Sequence, residues 1–190
     1  NKFLIDEKDL PDSCKILLKL QKPDESDTYC FTGDEVAAIL AHCQGTPDLK
    51  WFHPVLFTLA HTGMRISELA SLRWTDIDLE KLVITLTDER HSAARKQAGE
   101  ARELKGKRSR SFPVHPDLRP ILESIPRTDD GNVFHGPRGA RLKPDRVRRL
   151  LIRRVLKPLA NQFPTPPGAV RGFVDGRIHS FRHYFCSVCA

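Results

Sequence analysis

Two arginines, far apart along the chain, stand in strings suited to holding a phosphate group. Arg65 lies in the string TGMRISEL at residues 62–69. Gly63 lets one helix end, Arg65 begins the next, and Glu68 lies one turn later, where its carboxylate can orient the guanidinium. A guanidinium held in this way can offer its planar fork to two oxygens of one phosphate. The Arg-x-x-Glu spacing by itself also fits an ordinary helix corner with a surface ion pair.

The second arginine, Arg182, lies in the string HSFRHYF at residues 179–185. His179 precedes Arg182 by one helical turn, so a helix places both on one face, where they can reach a single site. Taken alone, this spacing also fits a core histidine beside a surface arginine. The spacing of His179 and Arg182 is therefore informative only together with the first string, at residues 62–69.

Together the two strings resemble the two arginine boxes of the tyrosine recombinases, the phage-integrase family, and they occur in the order used by that family. The resemblance covers about residues 31–190. It implies an α+β fold, a mainly helical catalytic domain with a small antiparallel sheet at one edge. It also implies a site: Arg65 and Arg182 as the phosphate clamp, His179 as a hydrogen-bonding group that assists proton transfer, and Glu68 and His183 as supporting residues.

A basic stretch between the boxes resembles the lysine hairpin of the same family. There a lysine precedes a proline by eight residues with an arginine between them, which selects Lys105 ahead of Pro113. Residues 88–103 make this hairpin longer than expected, so Lys107 or Lys96 remains an alternative. The resemblance implies that the lysine protonates the departing 5′ oxygen, general acid catalysis typically worth ~10²- to 10⁴-fold in rate.

The resemblance implies site-specific DNA recombination through a tyrosine nucleophile and a 3′-phosphotyrosyl link, which rejoins strands without ATP or metal. The family places this tyrosine beyond the second box, and the sequence ends at Ala190. Tyr184 lies two residues from Arg182 on the same helix and points elsewhere, whereas Tyr29 precedes the domain. We expect this catalytic domain, incomplete at its C-terminus, to bind double-stranded DNA without cleaving it and to be monomeric. The full-length protein is expected to act as a homotetramer on DNA.

Charge also favours a polyanionic partner. Lysine and arginine number 31 against 24 for aspartate and glutamate, a formal net charge of +7, and a basic surface of this kind suits nucleic acid. Residues 144–157 predict a basic amphipathic helix interrupted by Pro158. The residues expected to contact DNA are Arg141, Lys143, Arg146, Arg149, Arg153 and Lys157 from this region, and Lys107, Arg108 and Arg110 from the hairpin.

Three alternatives compete with this interpretation. A type IB topoisomerase would share much of the catalytic set, and an inactive DNA-binding module would share the fold. The third is a zinc site at His179, His183, Cys186 and Cys189. It is disfavoured because a regular helix cannot wrap four ligands around one ion. We therefore expect no metal and no cofactor.

The elements that position these residues follow from local patterns. Thr32 and Glu35 form a capping box ahead of an apolar stripe, and Gly63 ends a helix that carries Pro54 in its first turn. The predicted helices are 51–62, 66–72, 116–124, 144–157 and 179–190, and the predicted strands 82–86 and 111–114, with flexible sequence between the strands. Residues 129–132 predict a turn.

The chain is predicted to comprise a linker or the tail of a preceding domain, residues 1–30, and the catalytic domain, residues 31–190. The five cysteines follow no disulfide pattern, and no signal peptide opens the sequence. No apolar run approaches the ~18 to 20 residues of a membrane span. These features predict a cytoplasmic, nucleoid-associated protein without a membrane segment.

Overall fold

The computed structural model of the chain describes residues 28–97, 99, 101–104 and 108–189. Helices dominate, and a small sheet flanks them. The α-helices are Gly33–Gly45 (α1), His53–Thr62 (α2), Ile66–Ala70 (α3), Ala93–Gln97 (α4), Leu118–Glu123 (α5), Pro144–Leu150 (α6), Lys157–Leu159 (α7) and Ile178–Val188 (α8). The strands are Ile77–Asp78 (β1), Val83–Leu86 (β2) and Arg110–Pro113 (β3).

The first helix begins with the predicted capping box. The Glu35 amide donates to Thr32 Oγ1 at 3.3 Å, and the Thr32 amide donates to Glu35 Oε2 at 2.8 Å. These reciprocal bonds satisfy two amides that the first turn leaves without a helical partner. The Tyr29 hydroxyl donates to the other oxygen of the same carboxylate at 2.6 Å, which ties the start of the described chain to α1.

Helix α2 begins two residues later than expected. A 3-10 helix, Pro47–Phe52, precedes it, and Pro54 lies in the first turn of α2, where its missing amide hydrogen leaves no helical bond unmade. Gly63 ends the helix with φ +58°, as predicted. The C-terminal helix α8 packs on this corner so closely that a Cβ at Gly63 would lie 2.6 Å from Phe185 Cδ1.

The sheet is antiparallel, with the strand order β1-β2-β3. Ile84 of β2 pairs with Ile77 on one side and with Phe112 on the other. Ile84 and Leu86 are fully buried, so the alternate residues of β2 face the core. The predicted fold class is thereby confirmed: a mainly helical domain with a small antiparallel sheet.

The region between β2 and β3 differs from the expectation of flexible sequence. It contains the short helix α4, and Arg102 is buried at 4 % exposure. The pattern of charged residues in this stretch carries no sign of such burial, because the partners of Arg102 lie far from it along the chain.

The helix predicted for residues 144–157 is irregular before Pro158 and ends at Leu159, one residue after it. Helix α6 continues into a π-helix, Leu151–Leu156, and then into α7, which contains Pro158. Pro158 has no amide hydrogen to donate to the Arg154 carbonyl four residues earlier. His42 Nε2 of α1 donates to that carbonyl instead, at 2.8 Å, and the wider π-turns absorb the distortion without ending the helix.

An aromatic cluster connects the beginning and the end of the described domain. The Phe31 ring lies 5.0 Å from the ring of Phe181 and 5.9 Å from that of Phe173, measured between centroids. All three rings are buried. This cluster fixes α8, which carries the second arginine box.

In the described part of the chain, no helix has the length and apolar character that crossing a bilayer requires.

Candidate active site

The first arginine box is held by one buried carboxylate. Arg65 is the N-cap residue of α3, and its amide donates to Glu68 Oε2 at 2.9 Å. Its Nη1 donates to Glu68 Oε1 at 3.1 Å. The Glu68 side chain is 4 % exposed, whereas that of Arg65 is 29 % exposed. The carboxylate therefore fixes one edge of the guanidinium while part of this side chain stays open to a ligand.

The second box meets the first at the corner before Arg65. Arg182 Nη1 donates to the Gly63 carbonyl at 2.6 Å. Gly63 lies two residues before Arg65, so this bond brings the two boxes together across 119 residues of sequence. The structure thus brings both predicted arginines to the same corner of the fold.

The histidines of the second box lie on the same helix as Arg182. His179 and His183 are both exposed, and their rings pack edge to face with centroids 5.1 Å apart. Both imidazoles therefore lie at the surface of the helix that carries Arg182. Their catalytic and supporting roles stay predictions.

A third arginine, Arg110 of β3, also contacts the carboxylate of the first box. Its Nη2 lies 2.5 Å from Glu68 Oε1, and its guanidinium covers the Phe112 ring at 5.1 Å. Glu68 therefore stands between two guanidinium groups. Sequence reasoning assigned Arg110 to DNA contact, which stays a prediction, and missed this ion pair because it depends on strand register.

A buried ionic network supports the segment that leads into the predicted lysine hairpin. The two terminal nitrogens of Arg102 donate hydrogen bonds to the two carboxylate oxygens of Asp76, at 2.8 and 3.0 Å. The Arg102 amide donates to Glu89 Oε2 at 3.0 Å, and Arg73 Nη1 donates to Glu89 Oε1 at 2.7 Å. Burial opposes the ionisation of Glu89, but these bonds outweigh it and hold the pKa of this carboxyl below its usual value.

Asp88 joins the two sides of the same hairpin. Its Oδ2 accepts from the Leu104 amide at 3.0 Å, and its own amide donates to Ser109 Oγ at 3.1 Å. Lys105 and Lys107 lie outside the described residues, whereas Lys96 is exposed on α4. The choice among the three lysines stays open.

The predicted DNA-contacting residues of the basic segment form one exposed face. Arg146, Arg149, Arg153 and Arg154, with Leu150, line a shallow cavity of about 470 Å³. Val147, Leu151 and Val155 are fully buried on the other side of the helix. The remaining predicted contacts of this region and of the hairpin that the structure describes are also exposed: Arg108, Arg141, Lys143 and Lys157.

The two tyrosines of the chain, Tyr29 and Tyr184, contact helix α1 and the hydrophobic core respectively. Tyr184 is half-buried and packs against the hydrophobic core. Burial and the bond to Glu35 raise the pKa of the Tyr29 hydroxyl above its usual value, which opposes formation of a nucleophilic phenolate.

With this geometry in view, comparison with known proteins identifies the family. The model of the "Phage integrase family" matches residues 30–189. A search of curated protein sequences found no significant match.

Solved structures with a similar fold include three recombination proteins. The Tn1549 transposon integrase in complex with a circular intermediate DNA aligns with 99 % of this chain and 62 % of its own, at 20 % identity and a TM-score of 0.68. XerA recombinase aligns with 99 % of this chain and 58 % of its own, at 20 % identity and a TM-score of 0.57. A lambda integrase tetramer bound to a Holliday junction aligns with 87 % of this chain and 43 % of its own, at 16 % identity and a TM-score of 0.60.

At these identities the structural likeness shows a shared fold, and the chain spans 62 % or less of each of these three proteins. The family model covers most of the chain, from residue 30 to residue 189. The chain therefore belongs to the phage integrase family, the tyrosine recombinases.

Proposed function

We propose that this chain is the catalytic domain of a site-specific DNA recombinase that cleaves and rejoins strands through a 3′-phosphotyrosyl intermediate. The observation that carries the proposal is the 2.6 Å hydrogen bond from Arg182 Nη1 to the Gly63 carbonyl. It places the second arginine box beside the first, as one phosphate-binding site requires. Family membership and the fold shared with DNA-bound integrases support the same conclusion.

The proposed clamp acts on charge that develops during the reaction. An attacked phosphodiester gathers negative charge on its non-bridging oxygens, and preorganised guanidinium groups stabilise that charge. Arg65 is preorganised by Glu68, and Arg182 by the Gly63 carbonyl. Each arginine therefore enters the reaction already oriented, with little reorganisation left to the chemical step.

Proton transfer is assigned to two further groups. His179 hydrogen-bonds the same phosphate. A lysine of the hairpin protonates the leaving 5′ oxygen, and Lys105 is the first choice for this role. In the full-length protein the nucleophile is a tyrosine beyond residue 190. The 190-residue chain alone then binds DNA and forms no covalent link to it, and it is monomeric without DNA.

DNA contact is assigned to the exposed basic face of α6 and the π-helix. A stripe of guanidinium groups binds phosphates along a duplex mainly through charge, whatever the base sequence. The full-length protein is proposed to assemble as a homotetramer on DNA. The lambda integrase tetramer on a Holliday junction has a similar fold. The proposed place of action is the nucleoid.

The first experiment identifies a DNA target and asks for the covalent intermediate. Fragments of the source genome that the 190-residue chain retains are sequenced, and the full-length protein is then incubated with the enriched duplex, nicked to trap the cleaved state. We expect a protein–DNA adduct that survives denaturant, disappears on proteolysis and yields phosphotyrosine on acid hydrolysis.

Two other outcomes distinguish the alternatives. Relaxation of supercoiled plasmid by the full-length protein, without any dependence on the enriched sequence, would assign it to the topoisomerase class. DNA binding without an adduct, under conditions in which the Arg65→Ala variant behaves like the wild type, would make it an inactive DNA-binding module.

A further inference from the structure

His61, at the C-terminal end of α2, is a half-buried histidine to which the proposed reaction gives no role. Its Nδ1 donates to the Phe57 carbonyl at 2.9 Å, and its ring stacks on the Phe57 ring with centroids 4.0 Å apart. A carbonyl oxygen only accepts, so the proton resides on Nδ1 and the lone pair of the neutral ring on Nε2. A carbonyl that fixes the tautomer in this way is the usual support of a metal-binding histidine.

Two more ligand groups reach His61 from the connection between β3 and α5. His115 and Asp117 each bring one donor atom, and the donor atoms of the three residues lie within 4.8 Å of one another. His115 Nδ1 is 3.6 Å from Asp117 Oδ2, and the rings of His61 and His115 have centroids 5.5 Å apart. Among the residues that the structure describes, this trio is the one His/Cys/Asp/Glu group that meets such a spacing.

We propose that His61, His115 and Asp117 bind a divalent ion of the zinc class, in a site separate from the DNA-cleaving chemistry. Two imidazoles and one carboxylate are ligands that zinc, cobalt and nickel accept, with water completing the shell. The proposal does not depend on the recombinase function. It differs from the expectation of no metal, which was argued from a different set of residues, on α8.

The distances require only small side-chain movements. Zinc binds nitrogen and oxygen at about 2.0–2.2 Å, so two ligands at a tetrahedral angle lie roughly 3.4 Å apart. The side chains of His115 and Asp117 are 54 % and 71 % exposed, so solvent-facing space surrounds them. His115 gives up only a long bond from the Asp117 amide, 3.3 Å, while His61 keeps its bond to Phe57.

Opposing influences act on the protonation of the His61 ring. Burial lowers the pKa of His61 below 6.5, with a further lowering from His115, and the Phe57 bond and Asp117 act in the opposite direction. At neutral pH the ring is therefore available as a ligand, since metal binding requires the neutral imidazole. The Asp117 carboxylate offsets part of the ion's charge.

An ion at this position would join two segments that hold the candidate active site. His61 lies in the last turn of α2, two residues before Gly63, whose carbonyl accepts from Arg182. His115 follows β3, which carries Arg110. A bound ion would therefore restrain both the corner that positions the arginine boxes and the strand that supports Glu68.

Direct metal binding by the 190-residue chain tests the site. Accessible thiols are first blocked with iodoacetamide, because exposed Cys30, Cys186 and Cys189 also bind zinc. The chelator-treated chain is then dialysed against Zn²⁺ near neutral pH and its metal content measured. Co²⁺ in a parallel sample reports the coordination geometry through its visible absorption. We expect one equivalent of bound metal and a low-coordinate cobalt spectrum.

Ligand and control variants locate the bound ion. His115→Ala and Asp117→Asn alter exposed side chains and should leave the fold intact, whereas His61→Ala removes a stacked ring as well. Each should weaken zinc binding by about tenfold or more, since loss even of an outer-shell partner typically costs 10- to 100-fold. His135→Ala is the matched control: His135 pairs with Asp130 at 3.0 Å, and the described residues offer no third ligand there.

His179 and His183 form the competing site, because two histidines one turn apart also bind zinc. The proposal holds if the His183→Ala variant binds zinc as the wild type does and the His115→Ala variant does not. Unchanged binding in both His115→Ala and Asp117→Asn, or loss of the bound equivalent in His183→Ala, would overturn it.

Discussion

Arg182 Nη1 lies 2.6 Å from the carbonyl oxygen of Gly63 and donates a hydrogen bond to it. Gly63 can supply this carbonyl because its φ of +58° turns the chain sharply between α2 and α3. The same turn places Arg65 at the N-terminus of α3, one turn before Glu68. One corner of backbone therefore orients both arginines.

The first prediction concerns Arg110, which shares Glu68 with Arg65. Arg110→Ala should lower the free energy of unfolding by about 1–2 kcal/mol, because the buried Glu68 carboxylate loses one of its two guanidinium partners. The expected decrease is modest because the Arg110 side chain is 31 % exposed, so solvent screens part of the interaction. Urea denaturation monitored by circular dichroism measures the change.

Arg119 supplies the control for Arg110. It pairs with Glu123 at 2.8 Å, but both side chains are about half exposed, so Arg119→Ala should change the unfolding free energy by less than about 1 kcal/mol. Equal effects of the two substitutions would show that the pair between Arg110 and Glu68 contributes no more than a surface ion pair.

The second prediction concerns the corner itself. Gly63→Ala should destabilise the domain by about 2–4 kcal/mol, combining the left-handed backbone strain with overpacking against Phe185. Gly45→Ala is the matched control, because a Cβ at Gly45 meets nothing within 4 Å. Thermal unfolding of the two variants measures the difference. A Gly63→Ala variant as stable as Gly45→Ala would contradict the packing of α8 on this corner.

The third prediction is a loss of stability in mild acid. Burial lowers the pKa of His53 and of His61 below 6.5, so the unfolded chain takes up protons at these positions before the folded chain does. The stability they contribute is therefore complete above pH 6.5 and declines as the pH falls through the lowered pKa values.

A double variant, His53→Gln with His61→Gln, tests this pH dependence. Its melting temperature should change less between about pH 7.5 and pH 5.5 than that of the wild type. His91→Gln, which alters an exposed histidine, should leave the slope unchanged. A wild-type slope in the double variant would mean that other groups control stability in this range.

The fourth prediction concerns the basic face. Replacing Arg146, Arg149 and Arg153 together by alanine should weaken DNA binding. The negative slope of log K against log salt should become less steep, by roughly 0.9 for each phosphate that the variant no longer neutralises. The charge-matched control replaces Lys50, Lys81 and Arg119, which are also exposed. Fluorescence anisotropy over a salt series compares the two triple variants. Equal decreases in affinity would attribute binding to net charge instead of this face.

Much of this architecture could be predicted from the sequence because its signals are local. The capping box at Thr32 and Glu35, the helix end at Gly63 and the apolar β2 strand each depend on a few neighbouring residues. The arginine boxes could be found because the family preserves both their spacing and their order. The resemblance implied that Arg65 and Arg182 share one site, whereas the contact between Arg182 and the Gly63 carbonyl was not predicted.

The features that escaped prediction depend on contacts distant in sequence. Arg102 pairs with Asp76 across 26 residues, and Arg110 meets Glu68 only because β3 pairs with β2 in one register. The Arg154 carbonyl, to which Pro158 cannot donate, accepts from His42 of a distant helix. No local pattern announces such partners, since burial and pairing are set by the tertiary fold.

The most direct test of the phosphate clamp is the rate of covalent adduct formation by full-length protein carrying Arg65→Ala, Arg182→Ala or both. If the arginines act on one phosphate, each single change should slow the reaction on the order of 10²- to 10³-fold. The double variant should then be little slower than the slower single variant, because groups that act as a unit are strongly non-additive. DNA affinity should fall far less than the rate. Adduct formation near the wild-type rate in either single variant, or rate decreases that multiply in the double variant, would contradict a shared clamp.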